Sequence, residues 1–158
     1  FGFSDVLTVF LAMNTWVELY DKGRIPLSEF AQMKKDRDIL VNVIVKKTPL
    51  SVCYLSQRNT KTDFPVLTCA ASLVGERTVI GARPARPVIL EDEKGILKNF
   101  KYLSKEKKKE AAKAFAEYAA QQVKTGSNMR ASAEYRTLLA KVLTKRAWEA
   151  VGGMADED

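Results

Sequence analysis

The chain has 158 residues, of which 46% are hydrophobic and 28% charged, a globular composition that can bury a core without disulfide staples. It contains no histidine, which excludes His-based acid–base catalysis, His metal sites and Ser-His-Asp or Cys-His machinery. A formal net charge of +7 admits an acidic partner, nucleic acid or anionic lipid, but apolar stretches such as Ile39 to Val45 are far too short to span a bilayer.

No basic region followed by an apolar run opens the chain, so no signal peptide is expected. It starts at Phe1 rather than Met, as a piece of a longer or trimmed polypeptide would. Ser4 to Met13 reads as a short helix, with Ser4 or Asp5 able to cap the free N–H groups of its first turn. Thr15 to Tyr20 alternates and is rich in aromatic and β-branched residues, which predicts a strand. Asp21-Lys22-Gly23 is a turn. Arg24 to Phe30 is an extended piece that gives way at Pro26 to a helical turn. Asp38 to Lys46 predicts a strong strand, with Ile39, Val41, Val43 and Val45 on one face, Leu40 and Ile44 on the other, and both faces at least partly covered. Thr48-Pro49 breaks it.

Val52 to Gln57, Pro65 to Leu73 and Glu76 to Gly81 then predict three strands, the last two joined at Val74-Gly75 as an antiparallel hairpin. Two prolines within Arg83 to Pro87 keep that piece out of a central strand. Lys105 to Lys124 is a helix stopped by Gly126. Ser132 to Val151 is a second helix, with Leu138, Leu139, Val142, Leu143 and Ala147 spaced for one face. Met154 to Asp158 is an acidic tail, expected to be disordered. The order predicts an α+β fold: a small antiparallel sheet of about three strands with helices on one face. A boundary is expected near Lys47 to Leu50.

Residue chemistry alone names no activity. Cys53 and Cys69 make no CxxC pair and read as half-buried thiols. Gly75, Gly81, Gly95 and Gly126 are isolated, so no phosphate loop is present. Lys105 to Glu110 interleaves lysine with glutamate and has no aromatic platform, which reads as the solvated face of a helix rather than a nucleic-acid patch.

Two longer segments, Arg77 to Pro87 (RTVIGARPARP) and Asn128 to Arg136 (NMRASAEYR), carry a resemblance. With Ser4-Asp5 and its apolar helix, Pro26-Leu27-Ser28-Glu29-Phe30, Asp38-Ile39-Leu40, and Tyr54 to Arg58 and Asp63, they occur in the order found in the FAD-binding subunit of the molybdenum hydroxylases. That family includes xanthine dehydrogenase and carbon monoxide dehydrogenase. The resemblance covers nearly the whole chain and is to the C-terminal portion of that subunit. It implies that residues 1–47 are the end of an FAD-binding α+β domain, 48–152 the flavoprotein C-terminal domain, and 153–158 a disordered tail.

By the same resemblance, Asp5 lies at a flavin-contacting position and Leu40 at one packed near the isoalloxazine ring. From the residues alone, Asp5 is a helix cap and Leu40 a core strand residue. Tyr54 falls where the family often carries a lysine beside the flavin. Arg58 is expected to be an ion-pair residue. Arg130, Ser132, Tyr135 and Arg136 are expected to fix the last helix through a cap and a buried tyrosine hydroxyl. The glycine-rich segments that cradle the FAD pyrophosphate have no counterpart here, so this chain alone is expected to be inactive. The implied function is electron transfer from iron–sulfur clusters through FAD to NAD or another acceptor. The implied partners are a molybdopterin-binding large subunit and a [2Fe-2S] small subunit in the cytoplasm, with neither nucleic acid nor membrane involved. A non-catalytic docking module for those subunits is the alternative.

Overall fold

The computed structural model describes residues 5–34, 36–47 and 51–154. Helix α1 (Asp5–Ala12) leads into a three-stranded antiparallel sheet made of β1 (Trp16–Leu19), β2 (Gly23–Pro26) and β3 (Leu40–Ile44), in the order β2-β1-β3. The turn before β2 ends on Gly23 at φ +69°, a left-handed backbone that glycine adopts without strain. Asp38 ties this turn to the approach of β3: its carboxylate accepts the N–H groups of Asp21 and Lys22 at 2.9 and 3.2 Å. Those bonds, led by the Asp21 N–H, hold its pKa below the ordinary carboxylate range. The short helix α2 (Leu27–Phe30) follows Pro26 directly.

The second sheet runs β4 (Val52–Gln57), β5 (Leu67–Ser72), β6 (Arg77–Gly81), β7 (Val88–Leu90), neighbours in that order and antiparallel throughout. The expected β5–β6 hairpin is present. Its turn is one 3-10 turn over Val74–Glu76, with Gly75 at φ +71°. There are four strands rather than about three. β7 is only three residues long and follows the proline-rich piece, so it has no alternation long enough to read.

Two helices, α3 (Lys105–Gln122) and α4 (Ala133–Val151), pack on each other, and α4 lies on β4 and β5. Each begins on a serine: Ser104 Oγ accepts the Lys107 N–H at 3.4 Å, and Ser132 Oγ accepts the Tyr135 N–H at 3.2 Å. Most of Lys105 to Glu110 is exposed, as expected of a solvated face. Helix α3 ends at Gln122, four residues before Gly126. Gly126 is not its stop; its N–H instead donates to the Arg83 carbonyl at 3.1 Å.

Side chains of the second sheet alternate between two cores. Cys53, Leu55, Leu67, Cys69, Ala71 and Ile80 face α4, where Trp148 is fully buried with its ring edge-on to Phe100 at 4.8 Å. The Trp148 Nε1–H donates to Thr78 Oγ1 at 2.9 Å, so this large ring enters the core with its polar atom satisfied. Tyr54, Ala70, Val79 and Ile89 face the other way, toward α1 and the first sheet. Helices therefore cover one face of this sheet, and α1 covers the other. Every residue of β5 is buried, including Cys69, whose thiol is fully rather than half buried and is pushed up to about 12 mainly by desolvation.

Three further expectations are corrected. β3 is an edge strand more open than a strong central strand would be: Val41 is 51% exposed on one face and Leu40 46% on the other. Tyr135 is 43% exposed, and the buried polar residue of its segment is Arg136. Met154 is buried in the main core rather than part of a loose tail. The Thr48-Pro49 break, Ser4 as a cap and residues 155–158 lie outside the described residues.

Candidate functional site at the seam between the sheets

The site follows from where α1 lands on the second sheet. Thr8 of α1 and Thr68 of β5 are both buried and share a hydrogen bond of 3.1 Å. Gly81 ends β6 directly beneath that pair. A Cβ at this position would sit 2.3 Å from Thr8 Oγ1 and 2.4 Å from Thr68 Oγ1, so only hydrogen fits. Arg77, at the other end of β6, donates from Nη1 to the Leu11 carbonyl at 3.1 Å and to Asn14 Oδ1 at 3.0 Å. Arg86 reaches the Ala31 carbonyl at 3.2 Å.

At the open end of this seam, Asp5, Tyr54 and Arg58 meet. Alternation along β4 sends Cys53 and Leu55 toward α4 and Tyr54 toward α1. The Tyr54 hydroxyl donates to Asp5 Oδ1 at 2.6 Å. Arg58, one residue past β4, donates from Nη2 to Asp5 Oδ2 at 2.6 Å and from Nη1 to the Asp63 carbonyl at 2.6 Å. Arg58 is thus the ion-pair residue expected of it. Desolvation raises the Tyr54 hydroxyl well above the ordinary tyrosine range, and the bond to Asp5 raises it further. The bond to Asp5 likewise holds Arg58 firmly protonated. The trio is a neutral donor and a cation sharing one carboxylate, with the Tyr54 ring half-buried against the apolar core under α1.

Of the three sequence-predicted site residues, the fold brings Asp5 and Tyr54 together and places Leu40 apart. Leu40 stands 46% exposed on β3, paired with Leu19 in the other sheet. A cleft of about 400 Å³ beside α1 and α2 is lined by Leu7, Phe30, Met33, Asp36, Asp38 and Arg86, and by none of Asp5, Leu40 and Tyr54. Lys22 makes an ion pair with Asp36 beside it. Among the described residues the one pair of adjacent glycines, Gly152-Gly153, directs its N–H groups to the Trp148 and Ala150 carbonyls, so no glycine run turns successive N–H groups onto a phosphate. Among the described residues, no group of three cysteine, aspartate or glutamate side chains could hold a metal ion. No described helix is long and apolar enough to cross a membrane.

Arg136 helps fix the last helix, as expected, but from a buried position that the sequence does not announce. It is fully buried on α4 and is held entirely by neutral acceptors. Nε–H donates to the Val66 carbonyl at 2.9 Å, Nη1 to the Gly126 and Ala131 carbonyls at 2.6 and 2.7 Å, and Nη2 to Asn128 Oδ1 at 2.6 Å. It fastens the loop before α4 to the start of β5. Burial depresses its pKa, with Arg130 as a smaller cause. The same loop carries Arg130, which grips Asp63 Oδ1 from Nε at 3.3 Å and Nη2 at 3.0 Å and lies 5.4 Å over the Phe64 ring. The sole sequence signal for either arginine was the NMRASAEYR segment.

The arrangement, a four-stranded antiparallel sheet held between a helix pair and an N-terminal α+β layer, is shared with chains of solved oxidoreductase structures. Quinoline 2-oxidoreductase from Pseudomonas putida 86 superposes with a TM-score of 0.74 at 18% identity, over 98% of this chain and 58% of that one. The carbon monoxide dehydrogenase of Hydrogenophaga pseudoflava, in a form lacking the Mo-pyranopterin moiety of its cofactor, gives 0.77 at 18%, over 95% and 56%. Reconstituted CO dehydrogenase from Oligotropha carboxidovorans gives 0.70 at 16%, over 94% and 56%. The chain therefore spans well under two thirds of the length of these relatives. No curated protein matches the sequence significantly. Residues 53–151 match the CO dehydrogenase flavoprotein C-terminal domain, and the chain belongs to that family of FAD flavoproteins.

Proposed function

We propose that this chain is the C-terminal portion of the FAD-binding subunit of a molybdenum hydroxylase and closes one flank of the flavin. In this reading residues 1–47 end the FAD-binding domain, 48–152 form the C-terminal domain, and an upstream half of the subunit supplies the glycine-rich phosphate cradle. Asp5, Tyr54 and Leu40 form the rim that meets the flavin. Electrons pass from [2Fe-2S] clusters through FAD to NAD or another acceptor, in a cytoplasmic complex with a molybdopterin-binding large subunit and an iron–sulfur small subunit. The bound flavin supplies the redox chemistry; this chain positions it and shields one side from water.

The observation that carries this is the meeting of Asp5 and Tyr54 at 2.6 Å from segments 49 residues apart. The exposure of Leu40 and its neighbours on β3 supports it, because a missing flavin-binding half would seat on that surface. To test it, FAD is titrated into the 158-residue chain and into the same chain joined to an upstream flavin-binding half. The joined protein should acquire a bound-flavin spectrum and the isolated chain should not. A joined, folded protein that stays colourless overturns the proposal.

The apolar β3 surface also suits a docking module that contacts the iron–sulfur and molybdenum subunits without touching flavin. Capture of those subunits with equal strength with and without FAD, together with unchanged flavin binding in Tyr54→Phe and Asp5→Asn, would favour that function.

A further inference from the structure

The Asp5–Tyr54 pair is held by a relay that begins well away from it. Asp5 Oδ2 takes Arg58 Nη2 at 2.6 Å, and the other arm of that guanidinium rests on the Asp63 carbonyl at 2.6 Å. A guanidinium is planar, so fixing one arm fixes the aim of the other. The position of the Asp63 carbonyl therefore sets where Arg58 points. Asp63 sits in the link between β4 and β5, where its N–H donates to the Thr60 carbonyl at 3.3 Å. From outside the link its side chain is held by Arg130, whose Nε and Nη2 both reach Asp63 Oδ1. The Phe64 N–H adds a bond to the same carboxylate oxygen at 2.7 Å. Arg130 is itself held in place: its own N–H donates to Asn128 Oδ1 at 3.0 Å, the oxygen that also takes Arg136 Nη2. Asn59 donates back to the Arg130 carbonyl at 3.3 Å.

We infer that Arg130 is a positioning residue for the Asp5–Tyr54 pair, acting through the Asp63 carbonyl and the Arg58 guanidinium. Its contribution to the flavin rests on the function proposed above; the relay itself does not. Without Arg130 the 58–66 link loosens, Arg58 loses its aim, and the Asp5 carboxylate is left to Tyr54 alone. A change on the loop before the last helix then reorients a carboxylate on the first.

A double-mutant cycle between Arg130→Ala and Asp5→Asn tests the relay on the 158-residue chain. It is run in about 0.5 M salt, where attraction between distant exposed charges is screened. Each single variant should lower the folding constant, and the double variant should lower it about 5-fold less than the product of the two. Arg130→Lys, which keeps the charge but loses the two-pronged grip, should recover part of the loss. Where Arg130→Ala fails to fold, the cycle is run with Arg130→Lys and read in the same way. Multiplicative effects overturn the relay. In the joined flavoprotein, Arg130→Ala should weaken flavin binding about 3-fold and shift the bound-flavin absorption band. Coupling in the cycle with an unchanged flavin upholds the relay and overturns the flavin role of Asp5.

Discussion

The two sheets of this protein use similar residues and meet opposite fates. β5 and β6 carry Ile80, Val79 and Leu67 with no exposure at all, because α4 covers one face and α1 the other. β3 carries Leu40, Val41 and Val43, equally apolar, and leaves them about half exposed at a sheet edge. Hydrophobic sequence creates the demand for burial, but only a neighbouring layer meets it. The stability of this chain should therefore be concentrated around the second sheet and its seam with α1.

The sharpest test of that concentration is Arg136→Ala. It removes four hydrogen bonds and strands the Val66 and Gly126 carbonyls, at an expected cost of about 4 kcal/mol. Urea unfolding measures it, and a loss below about 1 kcal/mol would mean water replaces the guanidinium. Gly81→Ala comes next, at about 3 kcal/mol, because the new methyl overlaps two buried threonine hydroxyls. Removing those hydroxyls in a Thr8→Ala, Thr68→Ala background should restore much of the loss, and no restoration would break the packing explanation.

Tyr54→Phe should cost about 1 kcal/mol at neutral pH for the lost bond to Asp5. Its clearer signature is at high pH. The folded Tyr54 pKa is raised above its unfolded value, first by desolvation. Its contribution is therefore fully present below the unfolded value of about pH 10 and is lost as pH rises through the folded value. Wild-type stability should fall in that alkaline window more steeply than that of Tyr54→Phe; equal slopes would assign the fall to other groups. The smallest effects mark the contrast between the sheets. Ile80→Val should cost about 1 kcal/mol, whereas Val41→Thr on β3 should change stability by less than about 0.5 kcal/mol. If Val41→Thr proves as costly as Ile80→Val, β3 is covered by another copy or by a partner under the assay conditions.

Much of this was legible in the chain. Alternation in Val52 to Gln57 and the polar turn at Gly75 marked β4 and the β5–β6 hairpin, and Ser132 announced the start of α4. Arg58 could be expected to pair from its place in the family-like segment that runs from Tyr54 to Asp63. β7 was not legible, because three residues carry no period. Nor was the burial of Arg136 in place of Tyr135. Both lie in the first turn of α4, and which one points inward depends on where the helix lies on β5.

Local sequence by itself determined the longer strands, the serine caps of α3 and α4, the family and the solvated start of α3. These depend on periodicity and on side chains that bond their own neighbours, so a short window contains the cause. Only the tertiary structure decided that the second sheet is covered twice, that Gly81 must be glycine, and that Asp5, Tyr54 and Arg58 converge. Each of those depends on contacts between segments about 50 or more residues apart, and no local pattern encodes which distant side chain will arrive.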